Sequence, residues 1–352
     1  MAKISRRDFL KAAAAGAGAV TLSAFLEACG QVLHSAVPPA ENPTASLQQP
    51  NPTSPSQPAE SATDANPAET ETVPAPTDTP LPIPDMVVTR GGEPEALVRQ
   101  AIAALGGMDK FVPSGANVVV KPNICVAYHT YEYAATTNPW VVGTLVKMCF
   151  EAGAASVKVM DYPFGGTQQK AYEISGIKEQ VEAAGGEMVN MLSYKYVTTQ
   201  NPSGEYLKTT KVYEDILKTD VLINVPIAKQ HSSSGLTMGM KNLMGVVQNR
   251  SALHMSLHQS IADLNALIKP QLTVMDAVRI LTANGPTGGN LKDVQKLDTV
   301  IASRDVVAVD SYATSFFGMK PEDLGYIVFG TKMGLGRSDL QNLNIQVIQL
   351  AA

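Results

Sequence analysis

The feature that most constrains the fold is a series of short apolar runs, each followed by a polar residue and then by a helix-like stretch. These runs begin at Asn117, Ser156, Val221, Leu272 and Thr299. Continuous apolar strands that alternate with helices are typical of a parallel sheet covered on both faces. Residues 85–352 are therefore predicted to form an α/β fold, with a mostly parallel Rossmann-like sheet and helices on both of its faces. Their number suits either one large domain or two fused lobes.

Four of the predicted strands end in a polar side chain: Lys121, Asp161, Asn224 and Asp276. In open parallel sheets, ligands bind in the crevice beyond the carboxyl ends of the strands. A series of polar groups at those ends predicts a functional edge of the sheet. The alternative is that strand ends are polar because the loops that follow them face water.

The helix between the first two of these strands has clear boundary signals. It is predicted over residues 139–152, with Asn138 as N-cap and a proline in the first helical position. Gly153 is placed to end it.

A second helix is predicted from Asp305, its cap residue, to Phe317. Asp310 lies in this helix among valines and is expected to be buried. A buried carboxylate needs a partner, and Lys121 or Lys241 would qualify.

The segment with the most candidate catalytic and ligand-binding residues is the loop of residues 231–245, which is rich in serine and glycine. Lys241 lies among Met, Leu and Val residues, where burial would lower its pKa and let it act as a nucleophile or anchor an anion. His231 would then be the acid or base. The same loop supplies three further predicted ligand contacts: Gly235, Thr237 and Asn242. The spacing is not that of a Walker loop, and the alternative is a flexible surface loop with a solvated lysine.

Other loops at the same edge add candidates for a small anionic ligand. Pro122 fixes the chain after its strand, so Lys121 and Asn123 are expected to point at one ligand. Thr137 lies at a helix start, where free backbone amides favour an anion. Asn284 begins a turn cluster that is expected to close over the site. The alternative for Lys121 is a surface lysine before a turn.

A metal site is not predicted. His254 and His258 are four residues apart and would share a helix face, which is metal-compatible spacing. However, Met255 follows His254 where the zinc-protease motif has glutamate, so a structural or exposed pair is favoured. The cysteines beyond the N-terminal segment, Cys125 and Cys149, are too few for an iron–sulfur centre. No pattern identifies a cofactor.

Nucleic acid is excluded as a partner by charge. The formal net charge is −5, and no basic patch or aromatic platform is evident.

The N-terminal segment is an export signal. Residues 1–29 contain Arg6-Arg7 followed by an Ala/Gly-rich apolar run that is too short for a confident membrane span. This pattern predicts handling by the twin-arginine translocase. Cys29 ends a lipobox-like sequence and is predicted to carry a lipid; ordinary cleavage nearby and an uncleaved anchor are the alternatives. Residues 30–84 are rich in Pro, Ala, Ser and Thr and are predicted to be a disordered linker. The folded part would then be tethered at the outer face of the cytoplasmic membrane or lie in the periplasm.

Several segments together resemble the domain of unknown function 362 family. They are Val120-Lys121-Pro122-Asn123, Thr136-Thr137-Asn138-Pro139, Glu151-Ala152-Gly153-Ala154, Ile223-Asn224-Val225-Pro226, Lys229 with His231, Gly235-Leu236-Thr237, Lys241-Asn242-Leu243-Met244-Gly245, Asn284-Gly285-Pro286 and Ser303 through Asp310. The resemblance covers most of residues 115–330. Many members carry a ferredoxin-like cysteine module that this sequence lacks, so an iron–sulfur cluster is not expected.

A more distant similarity concerns the nickel-dependent lactate racemase family, which has a His and a Lys ten residues apart on a Gly-rich loop. His231 and Lys241 have this spacing. The similarity implies only that both side chains face one cleft.

Two function classes follow from these patterns. The first is an enzyme acting on a small anionic substrate through Lys241 and His231. The second is a non-catalytic, lipid-anchored ligand-binding protein, which needs the same cleft but no group that transfers protons.

Overall fold

A ten-stranded sheet is the centre of residues 82–351, the part of the chain that the computed structural model describes. The predicted export signal, Cys29 and the linker as far as residue 81 lie outside the described residues. The strands are β1 (Met86–Arg90), β2 (Asn117–Pro122), β3 (Ser156–Val159), β4 (Glu187–Met188), β5 (Tyr196–Gln200), β6 (Thr209–Tyr213), β7 (Val221–Val225), β8 (Ile227–His231), β9 (Gly235–Thr237), β10 (Leu272–Leu281), β11 (Val294–Ser303) and β12 (Ile345–Gln349). β5 and β6 form a separate antiparallel hairpin.

The sheet is mostly parallel, as predicted. Its strand order is β12-β1-β11-β10-β7-β2-β3-β4, and β8 joins the far end of β10 and carries β9. The run from β10 through β7, β2 and β3 to β4 is parallel throughout. β11 is antiparallel to both of its neighbours, β1 and β10, and β9 is antiparallel to β8.

Strands β10 and β11 are longer than their apolar runs indicate. Each has ten residues, and the two strands pair antiparallel across a connection over residues 282–293. In β11 only the last five residues are fully buried, so the apolar run at residues 299–302 marks the buried half of the strand. As a result Asp276 lies in the middle of β10 and not at its end.

Helices cover both faces of the sheet. They are α1 (Pro94–Ala104), α2 (Pro139–Glu151), α3 (Gln168–Ile174), α4 (Ile177–Ala183), α5 (Glu214–Lys218), α6 (Gly239–Asn242), α7 (Arg250–Leu253), α8 (Leu257–Leu267), α9 (Val306–Ala313) and α10 (Gly325–Lys332). Within residues 82–351, no helix is both long and apolar enough to cross a membrane.

The predicted boundaries of α2 are confirmed. The Asn138 side chain accepts a hydrogen bond from the Trp140 backbone N–H at 3.0 Å, and Pro139 is the first helical residue. Gly153 follows the helix with a φ of 92°, a left-handed conformation that favours glycine. The helix predicted from Asp305 to Phe317 is also present, as α9 followed by a 3₁₀ turn.

The core has two apolar layers because successive strand residues point to opposite faces. In β2, Val119 belongs to the layer under α6, α8, α9 and α10, whereas Val118 and Val120 belong to the layer under α1, α2 and α4. Because helices cover both faces of the sheet, a ligand can approach it at the carboxyl ends of the strands. There Lys121 of β2 and Asn224 of β7 are register partners, and Asp161 follows the end of β3.

Candidate functional site

A cavity of about 510 Å³ opens at the carboxyl ends of β2 and β3, and we call it the cleft. Its walls come from the loops after these strands, from β8, and from the segment that includes α6 and α7. The charged or imidazole side chains that line it are Lys121, Asp161, Lys229, His231, Lys241, Arg250 and His254. Seven of the residues predicted from sequence meet here: Lys121, Asn123, Asp161, His231, Thr237, Lys241 and Asn242.

A buried ion pair forms the floor of the cleft. Lys121 Nζ lies 2.7 Å from Asp161 Oδ1 and donates a hydrogen bond to Asn242 Oδ1 at 3.0 Å. The other carboxylate oxygen of Asp161 accepts a hydrogen bond from the Ile124 backbone N–H at 2.6 Å. Burial lowers the pKa of Lys121, and the nearby Asp161 charge opposes this shift. Gly245 packs on the pair, since a Cβ there would collide with the Asp161 carboxylate and lie 2.8 Å from Lys121 Nζ.

Lys229 fastens two loops to β8. Its ammonium group donates to Asn123 Oδ1 at 3.0 Å, to the Ala135 carbonyl at 2.6 Å and to the Pro286 carbonyl at 3.1 Å. All three acceptors are neutral oxygens, so Lys229 is held firmly while its charge stays uncompensated by residues 82–351.

Arg250 is positioned in the same way. It donates to the backbone carbonyls of Tyr162 and Pro163 at 3.0 and 3.1 Å. Its guanidinium carbon lies 5.3 Å from the centre of the Tyr162 ring. This arrangement positions a second cation on the cleft wall, and its hydrogen-bond partners within residues 82–351 are neutral carbonyl groups.

Lys241 differs from the other cations of the cleft in its contacts with the described part of the chain. Its ammonium nitrogen forms no hydrogen bond or ion pair with residues 82–351, although its side chain is partly buried. Burial, and then the nearby charge of Lys229, lower the pKa of Lys241 to about 7. At neutral pH a lysine with this pKa is in large part deprotonated, and its amine lone pair is then free to act as a nucleophile or base.

The expectation that Lys121 or Lys241 pairs with Asp310 is wrong. Asp310 accepts hydrogen bonds from the backbone N–H groups of Gly239 and Met240, at 2.6 and 2.9 Å. These amides begin α6, so their free donors satisfy the carboxylate. Lys241, the next residue of the same short helix, is left without that partner. Burial raises the pKa of Asp310 to about 7.

His231 is a neutral imidazole. Its Nδ1 accepts a hydrogen bond from the Ser233 backbone N–H at 3.0 Å, which leaves Nε2 to carry the ring proton. Burial, followed by the Lys241 charge, lowers the pKa of His231 to about 3. The ring therefore offers a hydrogen-bond donor to the cleft.

Two predicted residues lie directly behind the cleft and support its lining. The Thr137 hydroxyl accepts from the Asn123 backbone N–H at 2.8 Å and donates to the Val225 carbonyl at 2.9 Å. The Asn224 side chain accepts from Asn242 Nδ2 at 2.9 Å. Both residues are fully buried and hold neighbours that do line the cleft.

Three predicted residues lie elsewhere. Asp276 is buried at the start of α2, where it accepts from the Asn138 backbone N–H at 2.7 Å, and burial raises its pKa to about 6. Gly235 begins β9 directly after the turn from β8, has a φ of 75°, and lines a second cavity. Asn284 is exposed and donates to Asp293 Oδ2 at 2.8 Å.

The two histidines of α7–α8 point to different places. His254 lines the cleft, whereas the His258 ring stacks on Tyr326 with centres 5.9 Å apart. Among residues 82–351, no group of three or more His, Cys, Asp or Glu side chains is arranged to hold a metal ion.

Several residues that line the cleft were not among the site residues predicted from sequence, notably Lys229, Arg250 and Cys125. Lys229 could have been found, because it lies two residues before His231 in a strand and so shares its face. Arg250 gave no such signal, since it reaches the cleft through a short helix.

Comparison with known proteins assigns the family. The sequence profile of the domain of unknown function DUF362 matches residues 118–315, more than half of the chain. The protein belongs to the DUF362 family. A twin-arginine translocation pathway signal matches residues 3–23, so this DUF362 protein is exported across the cytoplasmic membrane.

The relatives of this DUF362 protein are distant. It is 28% identical over 249 residues to the thylakoid-associated protein sll1697 of Synechocystis sp., which covers 68% of this chain and 75% of the relative. Among solved structures, the lactate racemase apoprotein from Thermoanaerobacterium thermosaccharolyticum gives a TM-score of 0.39 at 11% identity, covering 60% of this chain and 53% of that one. A Thermotoga maritima protein gives 0.40 at 14% identity, covering 64% and 60%. The chain therefore spans less than two thirds of either solved structure, and neither likeness carries a functional argument.

Proposed function

We propose that this DUF362 protein is an exported enzyme that binds a small anionic substrate in the cleft and acts on it through Lys241. The observation that carries the proposal is the state of Lys241. It lines a deep cavity, has no partner among residues 82–351, and has a pKa lowered to about 7. Strongly shifted lysines in clefts are characteristic of nucleophiles and general bases.

The surrounding groups suit an anion. Lys121, Lys229 and Arg250 line the same cavity, and Asp161 is the one carboxylate among its lining residues within the described chain. In this proposal the fixed cations orient the substrate, and the neutral His231 donates a hydrogen bond to one of its oxygens.

One observation favours a second candidate, a non-catalytic binding protein. Because the pKa of His231 is lowered to about 3, this ring does not take up a proton at neutral pH in the empty cleft. The histidine can then serve binding alone, and Lys241 would be a further anion contact.

The titration of Lys241 tests the premise of both candidates. Trace acetylation of the intact protein across pH 6–10, followed by peptide mass spectrometry, measures the reactivity of each lysine. We expect the Lys241 amine to become reactive with a midpoint near pH 7. The exposed Lys332 serves as the internal reference. Equal profiles for the two lysines would contradict the proposal.

A substitution separates the enzyme from the binding protein. Lys241→Arg keeps the positive charge but removes an amine that can lose its proton near neutrality. Wild-type protein and this variant are incubated with a defined mixture of small carboxylated and phosphorylated metabolites, and the mixture is then analysed by mass spectrometry. Conversion by the wild type alone supports the enzyme. Retention of a component by both proteins, with no conversion by either, supports the binding protein.

We also propose that the protein is held at the membrane by a lipid on Cys29, with residues 30–84 as the spacer. The lipobox-like sequence before Cys29 supports this, and so does the thylakoid association named for the Synechocystis relative. Lipidated protein partitions into the detergent phase of a Triton X-114 extraction, and Cys29→Ser should move it to the aqueous phase. Detergent-phase partitioning that survives the substitution would contradict the anchor.

A further inference from the structure

The charges of the cleft do not balance. Its four strong bases face a single carboxylate: Lys121, Lys229, Lys241 and Arg250 against Asp161. Lys121 is accounted for, because it forms the 2.7 Å ion pair with Asp161. The other three cations have no carboxylate partner among residues 82–351.

Two of these uncompensated cations are locked in place. Lys229 is 1% exposed and donates to three neutral oxygens, and Arg250 donates to two backbone carbonyls. The buried charge of Lys229, whose partners are all neutral, remains costly, and Arg250 is only partly buried. The side chains are therefore preorganised for negative charge that residues 82–351 do not themselves provide.

Lys241 is different, because it can shed its charge. Lys229, Arg250 and Lys121 all help to lower its pKa, so the three groups are close enough to repel its ammonium form. The cleft consequently holds two fixed positive charges and a third that depends on pH and on what is bound.

We infer that the cleft selects ligands that carry at least two negative charges, in the form of a phosphoryl-type or dicarboxylate group. This inference rests on the proposed anion-binding function and names its substrate class. A singly charged ligand would balance only one of the two fixed charges of Lys229 and Arg250, whereas a dianion would balance both. Lys241 then faces a site whose positive charge has been cancelled.

A proton should therefore follow the ligand. Lys241 has a pKa of about 7, and a bound dianion favours its ammonium form and raises that pKa. Under the proposed enzymatic function, the fraction of Lys241 that stays neutral in the complex is the form that acts as nucleophile or general base. At pH 7.5–8 the complex accordingly takes up part of a proton from the buffer. Affinity is highest below pH 7 and declines as the pH rises above it, because the protonated form must be restored on binding.

The test is isothermal titration calorimetry of the full exported protein at constant ionic strength, with sulfate, malonate and acetate as probes. Sulfate and malonate stay doubly charged at pH 7.5–8, and acetate supplies one charge. Two buffers of different ionisation enthalpy give the number of protons taken up. We expect sulfate or malonate to bind at least about tenfold more tightly than acetate, since one additional charge pair at an effective dielectric near 20 is worth that much or more. The better of the two dianions tells a phosphoryl-type site from a dicarboxylate site.

Two matched arginine variants and one lysine variant locate the effect. Arg250→Gln should remove most of the preference for the dianion. Arg304→Gln, which removes an arginine that stacks on Phe111 outside the cleft, should leave it unchanged. Lys241→Met should abolish the proton uptake.

The outcomes separate the inference from the proposed function. Equal affinity for acetate and both dianions, or equal losses in the two arginine variants, would overturn the charge argument while leaving a small-anion site in place. A protein that binds none of the three probes would contradict the proposed anion-binding function itself.

Discussion

Gly245 gives the sharpest test of how the floor of the cleft is built. Substitution by alanine would place a methyl group against Asp161 Oδ1 and 2.8 Å from Lys121 Nζ. Neither side chain can withdraw into solvent, since Lys121 is 0% and Asp161 3% exposed. The backbone at residue 245 is not left-handed, so the predicted effect comes from the added methyl group alone.

The expected loss can be worked from these contacts. Separating a buried ion pair destabilises the folded state by about 3–5 kcal/mol. Replacing glycine by alanine stabilises it by up to about 1 kcal/mol, because alanine restricts the unfolded chain. We therefore expect Gly245→Ala to lower the free energy of unfolding by about 2–4 kcal/mol. The variant should also lose anion affinity, because Lys121 is displaced.

Urea unfolding followed by circular dichroism measures this difference. Gly165→Ala is the matched control, since its nearest contact to an added Cβ is an ordinary 3.4 Å and its backbone is not left-handed. Asp161→Asn should be destabilising by itself, and the double variant with Gly245→Ala should cost less than the sum of the two, because both act through one ion pair. Equal stabilities of the two alanine variants, within about 0.5 kcal/mol, would refute the packing of Gly245 on the pair.

Three further outcomes are expected. In the wild type, the pKa of the Asp310 carboxyl is raised from 3.8 to about 7 in the folded state, so between these values it holds a proton that the unfolded chain has lost. Stability therefore falls as the pH rises from about 4 to 7, and Asp310→Asn should flatten this dependence. Urea unfolding at pH 4, 5.5 and 7.5 measures it, and the same slope in both proteins would show that Asp310 is not responsible. Asn138→Ala should cost about 1 kcal/mol by removing the cap of α2, and unchanged unfolding would contradict the role of its 3.0 Å hydrogen bond to the Trp140 N–H. Lys229→Met should speed amide hydrogen exchange in residues 284–289, because the ammonium group that binds the Pro286 carbonyl is lost; unchanged exchange would show that the loop is held by other contacts.

The strand ends show what the sequence can predict about this site. Lys121 and Asn224 end two apolar runs, and parallel pairing brings them into register at one edge. The same reading misplaces Asp276, because the apolar run at residues 272–275 does not reveal that β10 continues to Leu281 and pairs there with β8 and β11. Partners distant in sequence decide where such a strand ends, and no local pattern records them.

The side chains that decide the cleft charge are hidden from sequence for a related reason. A lysine in a strand and an arginine in a short helix are ordinary residues until the carbonyl oxygens that hold them are known. Lys229 binds loops from residues 123–135 and 286, and Arg250 binds a loop after β3, so each cation is set by segments far along the chain. Their charge could not be counted as uncompensated before those partners were seen to be neutral.

The same contacts indicate what ligand binding should do to the stability of the fold. The hydrogen bonds by which Lys229 joins two loops to β8 offset part of the cost of burying its charge. Lys241 avoids repulsion by the other cations when it loses its proton near pH 7. Any ligand that cancels the fixed charges must therefore stabilise the fold, by about 2.7 kcal/mol at a hundred times its dissociation constant. Because Lys229 and Arg250 anchor the loops that wall the cleft, that stabilisation acts on the same loops that shape the site.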